Sequence, residues 1–381
     1  MNKKELNEIR RRFKPDYDNI SQIYGCYVNA AKEIVSEVDM PVGRMEPEES
    51  EMYLKILKKA LSGTPGRNLI NIEFSVDQVE NSEEHRLLQG LRQCHLSDAG
   101  LRQAFYQRVI ESLDMGESSY VILLAADAYD IPYKGSDGDI FSDGSAEVFD
   151  YFLCCICPVK DAKAELTYKA SEQSFRETST GRILTAPELG FMFPCFDDRS
   201  TNIYNALYYS RNVNDIHDDF IQGMFGAEQA PMSAGEQQAN FCGALTDSLG
   251  EDCSLDVVIS LHEQIRDRLE QHKESKEADP PEIYIEDMDE ILTESGVSSE
   301  KIETFNDSIT EAFGDRPSMN PNNLLETKKF QLATTGVRIH IDPEYVYSIR
   351  TQVIDGQRYI LVPAPDTVEL NGIEVSVDNM D

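Results

Sequence analysis

Between residues 120 and 210 the sequence shows one strand-like segment after another. The segments read YVILLAADAYDIPY, VFDYFLCCICPV, LTYKA, GFMFPCF and IYNALYYS. Parallel strands need a crossover of a dozen or more residues, usually a helix, and no helical pattern separates these segments. We therefore predict long antiparallel strands joined by loops, which makes the N-terminal domain α+β rather than α/β.

Helical and strand patterns on either side of this stretch suggest three domains or segments. We predict an α+β domain with an antiparallel sheet at 1–212, a helical segment at 213–275, and an acidic helical pair with C-terminal β-hairpins at 283–381. The charged stretch HKESKEADPPE, with its paired prolines, is the best candidate for a linker. In the last segment Asp355-Gly356 and Asn371-Gly372 have the composition of two-residue hairpin turns.

The charge of the chain restricts its partners. Sixty-nine acidic against thirty-five basic residues give a net charge of −34, which repels phosphate backbones and anionic membrane surfaces. This charge disfavours nucleic acid as a partner without excluding it. Eighteen consecutive apolar residues occur nowhere, so we predict no membrane span. A charged opening without a signal-like apolar run predicts a cytoplasmic protein with reduced cysteines.

Three cysteines crowd the segment YFLCCICPV. Cys154, Cys155 and Cys157 have neither the paired CxxC spacing of a zinc site nor that of a redox motif. In a strand, Cys155 and Cys157 would face one side and Cys154 the other. The flanking apolar residues favour a strand buried on both faces, with the cysteines as packing residues.

The segment from Asp127 to Glu147 is the best candidate for metal binding. Its carboxylates are Asp127, Asp130, Asp137, Asp139, Asp143 and Glu147. Oxygen-rich loops of this kind can bind Ca²⁺ or Mg²⁺, with Asp137, Asp139 and Asp143 as the predicted ligands. However, Phe141 occupies a ligand position of the calcium-loop pattern, and a solvated hairpin loop is the alternative. No cofactor is predicted beyond this possible divalent metal ion.

His217 lies in NDIHDDF among three aspartates, a composition that suits a metal or general-base cluster. The alternative is a helix start, with Asp215 as the N-cap. A metal-dependent hydrolase using the Asp-rich loop, with or without His217, is therefore one functional hypothesis.

The leading hypothesis is a non-enzymatic cytoplasmic protein that acts through protein–protein contacts. The nucleotide-binding, zinc-protease and serine-hydrolase motifs are all missing from the sequence. Tyr204, Tyr208 and Tyr209 could anchor a partner, although strand packing is the favoured explanation for them. A third hypothesis is a nucleoid-associated role with the basic N-terminal helix, NKKELNEIRRRF, as the contact. The same helix could instead dock on the acidic surface of its own chain.

Several strings resemble an uncharacterised Firmicutes family, domain of unknown function 4317. They are MNKKELNEIRRRF, EVFDYFLCCICPV, IYNALYYSRNVNDIHDDFIQGMFG and PMSAGEQQANF. The resemblance spans nearly the whole chain but implies no activity and no role for any residue. The order of an acidic helical pair followed by KKFQLATTGVRIHI and RYILVPAP is also similar to the C-terminal part of a nucleoid-associated bacterial family.

Overall fold

The chain forms two compact units. A computed structural model describes residues 1–14, 19–134, 140–162, 165–169, 171, 173–178, 181–327, 329–364, 368–370 and 372–375. Unit 1 comprises Met1–Glu236 and Ala278–Pro280, and unit 2 comprises Gln237–Glu277 and Pro281–Asp381. The three-part domain division made from the sequence stays a prediction about which parts fold independently.

Unit 1 combines a large sheet with helices on both of its faces. Its helices are α1 (Lys3–Arg11), α2 (Pro47–Lys59), α3 (Val76–Asn81), α4 (Glu83–Gln93), α5 (Ala99–Ser112), α6 (Asp218–Phe225) and the start of α7 (Ala234–Leu249). Its strands are β1 (Gln22–Val28), β2 (Ile34–Pro41), β3 (Leu69–Glu73), β4 (Tyr120–Lys134), β5 (Ile140–Asp161), β6 (Glu165–Lys169), β7 (Ser174–Thr178), β8 (Arg182–Leu184), β9 (Leu189–Phe193), β10 (Cys195–Asp197), β11 (Ser200–Asn202) and β12 (Asn205–Ser210).

The main sheet has eight strands in the order β2-β1-β4-β5-β9-β12-β3, with β8 paired to the end of β5. Every pairing within it is antiparallel. The prediction of an α+β fold with an antiparallel sheet in the N-terminal half is therefore confirmed.

Each face of this sheet packs against its own hydrophobic core. The first core lies under α4, α5 and α6 and includes Phe152, Cys154, Phe191 and Tyr208. The second lies under α1 and α2 and includes Tyr151, Cys155, Cys157 and Tyr209. Since the central strands bury both faces, they contain long apolar runs instead of an alternating pattern.

Unit 2 begins as a helical assembly and ends in separate hairpins. After α7 come α8 (Leu255–Ser275), α9 (Ile285–Glu294), α10 (Ser299–Phe313) and α11 (Pro321–Leu324). The strands that follow are β13 (Phe330–Thr334), β14 (Val337–Ile341), β15 (Arg350–Ile354), β16 (Gln357–Leu361), β17 (Val368–Leu370) and β18 (Ile373–Val375). They form three two-stranded antiparallel hairpins, β13-β14, β15-β16 and β17-β18.

The helices of unit 2 share a core of their own, which includes Phe241, Leu261, Met288 and Phe305. Ser254 caps α8, its hydroxyl accepting a hydrogen bond from the amide of Val257. Within the described part of the chain, no helix is both long enough and apolar enough to cross a bilayer.

Candidate functional site

Asp127 belongs to a buried ion pair and not to a loop, which corrects the prediction for this residue. It lies within β4, its side chain is 2% exposed, and both of its carboxylate oxygens accept hydrogen bonds from the guanidinium of Arg12, at 2.5 and 2.8 Å. The hydroxyl of Tyr151 donates to the same carboxylate at 2.9 Å. Burial alone would lower the pKa of Arg12, but Asp127 raises it above its ordinary value. The charge of Asp127 is thus compensated within the protein.

Of the three predicted metal ligands, the structure describes the position of one. Asp137 and Asp139 lie outside the described residues, and Asp143 lies in β5. Among the described residues, no group of three or more His, Cys, Asp or Glu side chains is placed to hold a metal ion. A metal site at this loop therefore stays a prediction.

His217 marks the start of α6, as the alternative interpretation proposed, although it occupies the N-cap position that was predicted for Asp215. Its backbone is left-handed, with φ of 56°, and its amide donates to the carboxylate of Asp215 at 3.0 Å. Burial, together with Glu236 and the neighbouring aspartates, raises the pKa of Asp218 beside it. Helix α6 packs on the first core, whereas Asp127 contacts Tyr151 in the second core. The two predicted candidates, Asp127 and His217, consequently lie on opposite faces of the sheet and share no site.

The clustered cysteines are packing residues, as the strand interpretation predicted. Cys154 faces the first core, and Cys155 and Cys157 face the second. All eight cysteines of the chain are free. Burial raises the pKa of the Cys157 thiol to about 12 and those of Cys154 and Cys155 well above the ordinary value. Thiols kept neutral in this way are poor nucleophiles and poor metal ligands.

The tyrosines proposed as partner anchors are mostly part of the sheet. Tyr208 is fully buried and Tyr209 is 3% exposed, so neither can contact a partner. Tyr204, in contrast, is 44% exposed. The anchor hypothesis is therefore wrong for two of the three residues, because β12 lies inside the sheet, between β9 and β3.

The basic N-terminal helix docks on its own chain. Leu6 and Ile9 of α1 enter the second core. Arg10 donates to the carbonyl oxygens of Leu61 and Gly63, at 2.5 and 3.1 Å. With Arg12 paired to Asp127, two of the cationic groups that a nucleic-acid contact would need are already engaged.

Hairpin β15-β16 of unit 2 presents an unusual surface. Its turn is Asp355-Gly356, with φ of 50° and 77°, the doubly left-handed backbone of a type I′ turn. The turn sets the register Ile354 to Gln357, Gln352 to Tyr359 and Arg350 to Leu361. Within the described ranges, β15 and β16 pair only with each other.

Every residue of both strands is exposed, on both faces of the hairpin. The apolar residues among them and directly after them are 37 to 65% exposed, and they are Val353, Ile354, Tyr359, Ile360, Leu361 and Val362. Scattered exposed apolar residues are normal, but a contiguous patch marks an interaction surface. An isolated two-stranded hairpin is also marginally stable in water. Hairpin β15-β16 therefore has an exposed apolar surface and, within the described part of the chain, unpaired strand edges.

The base of the hairpin is fixed to the rest of unit 2. Val346 and Ile349 are buried with Ile259 of α8 and Phe330 of β13 in a small hydrophobic cluster. Arg266 of α8 donates to the carbonyl oxygen of Pro343 at 2.9 Å. These contacts pack the residues before β15 against α8 and β13, and the exposed strands extend from this packed base.

Sequence reasoning predicted the turn of this hairpin but missed its surface. A signal was available in the run YILV, which covers the end of β16 and the residue after it. This run places apolar side chains on both faces of the strand, and the turn predicted at Asp355-Gly356 pairs the strand with the one before it. Such runs are typical of strands that are buried on both faces, whereas β16 is exposed on both.

Comparison with known proteins identifies the family of the chain. A family model described as "Domain of unknown function (DUF4317)" matches residues 1–373. Because the match spans almost the whole chain, the protein belongs to this family, as the resemblance predicted. No curated protein matches the chain. The family description names no activity, so roles for residues come from the geometry alone.

Proposed function

We propose that this member of the domain of unknown function 4317 family works in the cytoplasm by binding a protein, and that hairpin β15-β16 is its docking surface. The observation that carries the proposal is the exposure of every residue in both strands, including Tyr359, Ile360 and Leu361. Free strand edges allow a partner to add a strand, while the apolar side chains supply contact area. Eight free cysteines support a reducing compartment.

Site-specific photo-crosslinking in living cells tests the docking surface. A photoreactive phenylalanine derivative replaces Tyr359, and in a matched control it replaces Tyr284, which is 46% exposed in the same unit. We expect a protein-sized adduct from position 359 that disappears when Ile360→Lys is added, because a lysine in the patch opposes burial of the strand. No adduct at position 359, or equal adducts at both positions, would contradict the proposal.

A further inference from the structure

We propose that the protein seated on this hairpin is a second copy of the same chain, with its β16 paired antiparallel to β16 of the first copy. The inference rests on the proposed function and names its partner. Hairpin-to-hairpin pairing would give a continuous four-stranded sheet across the two-fold axis, in the order β15-β16-β16-β15. Such an isologous contact is the usual way in which a chain forms a closed dimer.

The turn fixes which backbone groups of β16 are available. In a two-residue hairpin turn, the carbonyl of Ile354 accepts from the amide of Gln357. Residues along an antiparallel strand then alternate, so Gln357, Tyr359 and Leu361 direct their backbone groups toward β15. Arg358 and Ile360 direct theirs outward, where the described part of the chain places no further strand.

This outward edge is complementary to itself. A two-fold axis at Tyr359 places Arg358 of each copy opposite Ile360 of the other, so that two such pairs make four backbone hydrogen bonds. Gln357 then lies opposite Leu361, and the two Tyr359 rings meet across the axis as a close, non-hydrogen-bonded pair. No two like charges lie directly opposite each other in this register.

Strand β2, at an edge of the large sheet, shows the contrast. Its exposed residues include Glu37 and Asp39, so an antiparallel self-pairing about Val38 would place carboxylate opposite carboxylate. Charged residues of this kind are the device by which proteins protect sheet edges from one another. Strand β16 carries a single charge, that of Arg358, and the proposed register places it opposite Ile360 instead of a like charge.

The distribution of charge also favours contact at the hairpins. The chain carries −34 in total, yet residues 329–364 contain four Lys and Arg against three Asp and Glu. Two copies that approach through this segment therefore meet less repulsion than the total charge of the chain would cause. A dimer formed in this way should tighten as added salt screens the remaining repulsion, whereas docking of a strongly acidic foreign protein on Arg350 and Arg358 should weaken.

Sedimentation equilibrium of the purified full chain, with two proline variants, tests the pairing. Ile360→Pro removes an outward amide from β16, and Thr351→Pro removes the equivalent outward amide from β15, so each leaves the pairing of β15 with β16 intact. We expect a wild-type dimer whose dissociation constant rises at least about tenfold, equal to about 1.4 kcal/mol, in Ile360→Pro only. A monomeric wild type, or equal effects of both prolines, would overturn the inference.

Oxidative crosslinking tests the register without relying on proline. Across the axis, the Cβ atoms of the two copies at position 359 should lie about 4.5–5.5 Å apart, near enough for a disulfide after small adjustments. Tyr359→Cys should therefore give a disulfide-linked dimer on a non-reducing gel. Gln352→Cys, at the position that faces Tyr359 within the hairpin, should give no more than the wild type with its own cysteines. Equal yields from both variants would exclude the register.

Two results distinguish an error about the partner from an error about the docking surface. A monomeric protein that still yields a photo-crosslink from position 359 to a different protein would refute the second copy as the partner and retain the docking surface. A monomeric protein without any adduct at position 359 would refute both.

Discussion

Strands β9 and β16 each have five residues, of which four and three are apolar, but their environments are opposite. All five residues of β9 are buried between the two cores of unit 1, and all five residues of β16 are exposed in unit 2. The local pattern determined that each would be a strand. What differs is the number of neighbours: β9 has β5 and β12 beside it, whereas β16 has β15 alone among the strands that the structure describes. Burial is thus a property of the assembled sheet and not of the local sequence alone.

The largest expected effect comes from truncating the same residue type in the two environments. Tyr208 of β12 is fully buried and its hydroxyl donates to the carbonyl of Ile216 at 2.7 Å. Tyr208→Ala should lower the free energy of unfolding by about 3–5 kcal/mol, because it leaves a cavity in the first core and an unpaired carbonyl. Urea unfolding followed by circular dichroism measures this change.

The matched control is Tyr359→Ala, measured at a protein concentration low enough to keep the chain monomeric. Tyr359 is 42% exposed and its hydroxyl donates to its neighbour Gln357. Its truncation should change the unfolding free energy by less than about 0.5 kcal/mol. Similar losses for the two tyrosines would mean that the hairpin is covered within the folded monomer, which would contradict the contrast between the buried sheet and the exposed hairpin.

The second largest effect is expected from the buried ion pair in unit 1. Asp127→Asn keeps the size of the side chain but leaves the guanidinium of Arg12, 16% exposed, without its counter-charge. Breaking one partner of such a pair should cost about 2–4 kcal/mol. Asp130→Asn, three residues further along β4 and exposed, should cost less than about 0.5 kcal/mol in the same urea experiment. An unchanged stability of Asp127→Asn would show that the pair adds nothing to the docking of α1.

The contrast between Asp127 and the cysteines shows what sequence could and could not provide. Strand alternation is local, so the opposite orientations of Cys154 and Cys155 followed directly from their spacing. Arg12 and Asp127 are 115 residues apart, and only the packing of α1 on the sheet brings them together. The acidic composition of the segment therefore grouped Asp127 with the loop, although its carboxylate belongs to an internal ion pair.

Turns and strands were predictable in unit 2 for the same local reason. Asp355-Gly356 has the residues that two positive φ angles require, and the hairpin forms there. Exposure did not follow from alternation, which indicates which residues share a face but not whether anything covers that face. The apolar pattern on both faces of β16 is the reason for proposing a partner at this hairpin.

A smaller effect should appear when the Cys154 thiol in the first core is titrated. Burial raises the pKa of Cys154 well above its ordinary value, so the folded protein keeps this thiol protonated where the unfolded chain ionises it. The stability from Cys154 is fully present below the unfolded pKa of about 8.5 and falls as the pH rises above it. Between pH 7 and pH 9, the stability advantage of wild type over Cys154→Ala should shrink by about 1 kcal/mol.

Urea unfolding at the two pH values, with a reductant present, measures this change. Ile156→Val removes a methylene group from the same buried strand without removing a titrating group, so its stability penalty should be the same at both pH values. An advantage of wild type over Cys154→Ala that stays constant with pH would mean that water reaches the Cys154 thiol in the folded state. The contrast between a sheet that excludes water and an exposed hairpin would then be weaker than the burial of the side chains suggests.

The smallest expected effect is at Val353 of β15, which is 65% exposed. Val353→Thr keeps a β-branched side chain and hence the strand preference and register of the hairpin, while it replaces a methyl group with a hydroxyl. If the hairpin faces water in the monomer, the free energy of unfolding should change by less than about 0.5 kcal/mol. At a buried valine the same change would cost more, because the hydroxyl would lose its hydrogen bonds to water. A loss above about 1.5 kcal/mol in dilute protein would therefore place Val353 in a covered interior and remove the reason for expecting a partner at the hairpin.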